Sequence, residues 1–298
     1  MRKLFFKLND KLSKSAVGGA YSFFMRCFLE CEYALLRLVW RLKGGKLPSD
    51  EEVSLVCENV TFVFKSFERK KSAKRLYNNI CKYYPNARVI IADDSKTPLE
   101  LKGENLEVIQ LPCNSGLSLG LNRAHEQVKT PYIIRMDDDE VLTPFSRFHE
   151  HLRFLMANDE YDLIGVSYVT TPRCKSHKKV SPKYLSQSMD IAPKKLKIPH
   201  LTKVGEYTVV GKTPNIFIAR TEAVRSVGYD DNIRVLDHNE FFFRAAGNIV
   251  SLFSPCSFVF HIHDVSDRNY LSYRSDFRAD QEYIKAKMTL LLMDNARD

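Results

Sequence analysis

Between residues 58 and 140 the apolar positions switch period four times. Val60-Thr61-Phe62-Val63-Phe64 is a short, β-branched and aromatic run that predicts a buried strand. Ala73, Leu76, Tyr77, Ile80 and Tyr84 then recur at helical spacing over 72–84, and Pro85 ends that helix. Arg88-Val89-Ile90-Ile91-Ala92 predicts a second strand, which runs into Asp93-Asp94-Ser95, and Leu106–Leu111 predicts a third. A glycine-bearing loop opens a helix over 119–128, and Tyr132-Ile133-Ile134-Arg135-Met136 predicts a fourth strand ending in Asp137-Asp138-Asp139-Glu140. Strands alternating with helices predict an α/β fold with a mainly parallel central sheet flanked by helices. Ligands bind beyond the carboxyl ends of strands in such sheets, and both acidic clusters fall at that edge.

A different pattern precedes this region. Phe24, Cys27, Phe28, Cys31, Ala34, Leu35, Leu38 and Val39 form one stripe of a helix, which Gly44-Gly45 and Pro48 stop. The stripe fits a helix packed on the main domain or one lying on a membrane surface. Charge sharpens the second reading. The chain has 298 residues and a net charge of +9, yet residues 1–47 hold ten Lys/Arg against three Asp/Glu. The basic character therefore belongs mainly to an N-terminal amphipathic arm, suited to anionic headgroups. No apolar run approaches the roughly 20 residues of a bilayer span, and Lys7, Asp10 and Lys11 come too soon for a secretory signal. A second basic cluster, from Arg173 to Lys197, is rich in proline and predicts a long loop, either solvated or covering an anionic ligand.

Composition is that of a globular protein, with 44% apolar and 27% charged residues. The seven cysteines form no CxxC pair, which fits a reducing compartment and argues against a zinc site. Gly116 and Gly120 match neither GxGxxG nor a P-loop. No segment resembles a nucleic-acid-binding module. Three consecutive aspartates repel one another unless a cation or several donors offset them. Mg²⁺ and Mn²⁺ favour such carboxylates and share them with substrate phosphates. The alternative is an acidic turn capping the next segment.

The order Asp93-Asp94-Ser95, Gly116…Asn122-Arg123, then Ile133–Asp139 resembles the GT-A, family-2-like glycosyltransferases. Asn215–Thr221, Val227-Gly228-Tyr229-Asp230 and Asp237-His238-Asn239-Glu240-Phe241-Phe242 narrow the likeness to the ganglioside-type β-1,4-N-acetylgalactosaminyltransferases, over roughly residues 58–265. The resemblance implies a GT-A domain over 49–270, between the arm at 1–48 and a helical tail at 271–298. It implies an inverting transfer from a UDP-sugar, with Mn²⁺ or Mg²⁺, to a glycan or lipid-linked acceptor. Asp139 is the preferred metal ligand, with Asp137 and one or both of His261 and His263. Asp137 and Asp138 also face the ribose, and Asp93 and Asp94 the uracil and ribose. Phe64, Ser66, Arg69, Gly116, Asn122 and Arg123 are assigned to the nucleotide-sugar. Glu240 is the expected catalytic base, with Asp237 and then His238 as alternatives. The animal enzymes have a membrane span that this sequence lacks. The expectation is a cytoplasmic bacterial enzyme of surface-glycan synthesis, touching the inner face of the membrane through residues 1–47. A retaining transferase, a nucleotidyltransferase and a non-catalytic glycan-binding scaffold are the competing readings.

Overall fold

The computed structural model describes residues 11–12, 15, 17–42, 44–171, 196–264, 267–273 and 277–295. The basic loop from Arg173 to Lys195 lies outside them, and with it the expectation of a cover over an anionic ligand.

The parallel half of the sheet follows the hydrophobic pattern. Strand β1 (Val60–Ser66) pairs in parallel with β2 (Arg88–Asp93) and β4 (Tyr132–Asp137), and β2 pairs in parallel with β3 (Leu106–Gln110). Alternation along β1 explains the near-continuous apolar run, because both faces are covered. Phe62 and Phe64 point into a core with Leu76 and Ile80 of α3 (Lys70–Tyr83) and Phe148 and Leu152 of α5 (Phe148–Ala157). Val63 points the other way, towards Leu121 of α4 (Leu117–Gln127) and Phe241 and Phe242 of α7 (Asp237–Ala245). Helix α2 (Asp50–Asn59) leads into β1 and starts with a reciprocal capping box between Ser49 and Glu52.

The second half is mixed rather than parallel. The full order is β3-β2-β1-β4-β9-β6-β10-β8-β7. Strand β9 (Phe217–Arg220) is antiparallel to both β4 and β6 (Leu163–Thr171), and helix α6 (Thr221–Val227) follows it. Strand β10 (Ser251–Ile262) is parallel to β6 and antiparallel to β8 (Tyr207–Val210), which forms a hairpin with β7 (Lys203–Val204). The short β5 (Glu140–Val141) turns back from the end of β4 and pairs with β10, setting Glu140 opposite His261. That pairing brings the aspartate triplet beside a strand whose paired residue, His261, lies 121 positions after Glu140.

Helix α1 (Gly18–Leu42) docks on this half of the sheet. Leu29, Tyr33 and Leu36 are buried against Val141, Phe260 and Ile262. The stripe read from the sequence is not the face that packs: Phe24, Phe28, Leu35, Leu38 and Val39 are exposed. Two helices close the chain, α8 (Arg268–Tyr273) and α9 (Arg278–Asn295). Among the described residues no helix is long and apolar enough to cross a membrane.

Candidate active site

Strands β1, β2 and β4 end together at one edge, and a cleft opens there. Lys65, Arg69, Gly116, Asp137, Asp138, Arg234 and Tyr270 are among its lining. Its volume is about 60 Å³, well below the roughly 300–1,000 Å³ of small-molecule sites. Tyr270 and Tyr273 of α8 also line it, with Tyr270 stacked 4.0 Å from the Arg69 guanidinium and Tyr273 edge-on to Phe67.

On the β2 side the two aspartates differ. Asp93 accepts from the Ser95 hydroxyl at 2.6 Å and from the Leu99 N–H at 2.7 Å, so both of its carboxylate oxygens are taken by its own turn. Asp94 pairs with Lys65 and accepts from the Gly116 N–H at 3.1 Å. Burial raises the Asp94 carboxyl and lowers the Lys65 ammonium, each partly offset by the other. Gly116 has φ +106, and a Cβ there would meet the Arg234 backbone at 3.1 Å, so the close approach requires glycine.

At the end of β4, four carboxylates face two arginines. Arg69 Nε donates to Asp138 at 3.2 Å and Arg69 Nη1 to Asp139 at 2.8 Å. Arg135, fully buried, pairs with Asp137 at 2.9 Å, donates to the Asn215 carbonyl at 2.6 Å and lies 3.9 Å from Asp237. Glu140 accepts from the Asp137 N–H at 2.8 Å. Burial pushes Asp138 up to about 7, with Asp139 and Asp137 reinforcing it against Arg69. Burial and Asp137 push Glu140 up to about 8. Burial would also raise Asp139, but Arg69 and His261 outweigh it and hold that carboxyl well below its usual range. Burial acts against a charged His261, yet Asp139, at 3.4 Å from Nε2, holds the imidazole above its ordinary value.

His261 and His263 both reach Asp139. One ligand atom from each of the three residues lies within 4.8 Å of the others. His261 lies on β10 and His263 one residue past its end, and their rings are 5.2 Å apart. A carboxylate with two imidazoles fits a divalent ion, and the nitrogen donors favour Mn²⁺ over the strictly oxygen-seeking Mg²⁺.

The structure places several other assigned residues away from the cleft. Phe64 belongs to the apolar core, because its position in β1 points away from the cleft. Asn122 links α4 to the 229–231 turn, holding the Tyr229 carbonyl at 2.7 Å and its N–H at 2.9 Å. Arg123 is exposed and pairs with Glu126. Ser66 is buried, and its hydroxyl has no hydrogen-bond partner among the described residues. Neither Glu240 nor Asp237 is in the cleft lining; Glu240 is buried on α7. Its oxygens accept from Arg244 at 2.8 Å and from Lys287 of α9 at 2.6 Å. Asp237, one turn earlier, starts α7 beside Arg135.

Four contributors escaped the sequence reading. Arg135 had a signal, a charge inside an apolar strand, but the ladder of contacts it makes is tertiary. Arg234, Tyr270 and Asp280 had none. Asp280 of α9 accepts the Val235 N–H at 2.7 Å and the Leu236 N–H at 3.1 Å, and so fixes the entry to α7.

Mouse β-1,4 N-acetylgalactosaminyltransferase 2 is 31% identical over 215 residues, covering 69% of this chain and 39% of the relative. Human β-1,4 N-acetylgalactosaminyltransferase 1 is 30% identical over 213 residues, with the same coverage. The chain thus spans about two fifths of these relatives. Among solved structures, Staphylococcus aureus TarS 1–349 superposes with a TM-score of 0.52 at 12% identity, covering 80% of this chain and 71% of that one. Its UDP-GlcNAc complex gives 0.51 at 14% identity, over 68% and 60%. These two likenesses speak to the fold, which is GT-A. The profile of glycosyl transferase family 2 matches residues 61–228, more than half of the sequence, and the chain belongs to that family.

Proposed function

We propose that this chain transfers a sugar from a UDP-sugar, with inversion, to a hydroxyl of a glycan or lipid-linked acceptor. The observation that carries the reading is the meeting of Asp139, His261 and His263 beside an acidic cluster with too few cations. Asp139 and the two histidines would hold Mn²⁺ or Mg²⁺, with Asp137 nearby. Such an ion supplies Lewis-acid stabilisation of the departing diphosphate. Lys65, Arg69 and Arg234 line the same cleft and would add positive charge around the nucleotide. The relatives support N-acetylgalactosamine as the sugar.

Inversion needs one carboxylate to accept the acceptor's hydroxyl proton. We assign this to Asp237, because Arg135 links it to the end of β4, whereas Glu240 is engaged by two cations. Calorimetry against a panel of UDP-sugars, with and without Mn²⁺, tests the reading. Metal-dependent binding of one donor, lost in Asp139→Ala, is the expected result. Absence of binding under both conditions would overturn it, and NMR of the product anomer checks inversion.

A further inference from the structure

Helix α1 is apolar on two opposite sides. One side, with Leu29, Tyr33 and Leu36, is buried on the sheet. Trp40 extends that side, its ring centroid 4.9 Å from that of Phe258. At 100° per residue, Phe24, Phe28, Leu35, Leu38 and Leu42 project from the other side. They are 68, 52, 60, 54 and 79% exposed. The solvent face of an ordinary surface helix is polar, and a contiguous apolar row of this length marks a binding surface.

Leu38 also lines a groove of about 650 Å³ between α1 and α3. Arg37, Arg41 and Lys82 line it too, and none forms an ion pair with a carboxylate among the described residues. The lone acid of the groove, Glu30, is held by Arg75 at 2.7 Å. The three cations are close enough that burial and the like charges of Arg37 and Arg41 lower the Lys82 ammonium. An apolar row edged by uncompensated cations matches the boundary between acyl chains and anionic headgroups. A second copy docked symmetrically by this face would bring the same cations against each other.

We propose that α1 seats the protein on an anionic bilayer, with Phe24, Phe28, Leu35, Leu38 and Leu42 at the headgroup boundary and Arg37, Arg41 and Lys82 on lipid phosphates. Docking stands independently of the transferase reading; only its use, delivery of a lipid-linked acceptor, rests on it. The buried side of α1 packs on Val141 and Phe260, each next to a residue of the acidic cluster or the histidine pair. The membrane contact is therefore packed directly against the strands that carry the site.

The test is co-sedimentation of the full chain with vesicles of phosphatidylcholine alone or mixed with phosphatidylglycerol. Binding is expected only to the anionic vesicles, weakening as salt rises. Replacing all three cations (Arg37→Gln, Arg41→Gln, Lys82→Gln) is expected to weaken it about a hundredfold. Phe28→Ser with Leu35→Ser should abolish it, while thermal stability and UDP-sugar binding remain, since both side chains are exposed. Failure to sediment with anionic vesicles would overturn the proposal. So would binding that ignores lipid charge and the three cations, or a dimer in light scattering that Phe28→Ser dissolves.

Discussion

Two groups of carboxylates, each part-buried or buried, are neutralised differently. Asp137, Asp138, Asp139 and Glu140 share Arg69 and Arg135. Glu240 and Asp230 share Lys287, and Glu240 also has Arg244. The first group has more carboxylates than cations, and two of its carboxyls rise to about 7 and 8, chiefly through burial and further through their acidic neighbours. The second is balanced. A surplus is what a divalent cation can use, whereas a balanced buried pair holds elements together. A buried acidic residue therefore reveals its role less by its identity than by the count of cations around it.

The largest effect expected from this contrast is on turnover. Asp237→Asn should lower kcat by roughly 10²–10⁴ with donor binding retained, as loss of a general base does. Glu240→Gln should instead lower thermal stability, by about 2–3 kcal/mol, because two cations lose their counter-charge. Abolished turnover in Glu240→Gln at unchanged Tm would return the base role to Glu240. Steady-state kinetics beside thermal melts separates the two outcomes.

A middle-sized effect is expected with pH. Asp138 and Glu140 have folded values above their unfolded ones, and so does His261. At these three groups the folded protein binds more protons than the unfolded chain, so their contribution to metal-free stability falls as pH rises from 6.5 to 8.5. Metal binding displaces the same protons, so Mn²⁺ affinity falls as pH drops, by about tenfold per unit for each proton released. Melts with and without Mn²⁺ across this window should show the metal cancelling the decline. A decline unchanged by Mn²⁺ would break the link between surplus charge and metal.

The smallest effect concerns the α8 side of the cleft. Tyr270→Ala removes a ring 4.0 Å from Arg69, an interaction of about 0.5–2 kcal/mol. A modest loss of stability with faster UDP association is the expected outcome, measured by stopped flow. Slower association would show that Tyr270 receives the nucleotide rather than obstructing it.

Much of the parallel half was legible. The predicted strand starting at Val60, the helix over 72–84 and the acidic strand ends match the structure to within a few residues, because both covered faces of a parallel sheet force a continuous apolar run. The acidic cluster could be read as a candidate from residue type and spacing, and the two histidines from the family resemblance. Helix α1 was legible as amphipathic but not in its orientation. Its sequence has two apolar sides, and periodicity cannot say which one meets the sheet.

The sequence by itself determined the α/β alternation, the carboxylates at the strand ends and the basic character of the N-terminal segment, since these follow from local periodicity and residue type. Only the tertiary structure decided which acids are in charge surplus and which are compensated. Lys287 lies 47 residues from Glu240 and Arg69 lies 70 from Asp139. Neutralisation depends on what the fold brings within a few ångströms, and electrostatic energy falls with distance in space, not along the chain.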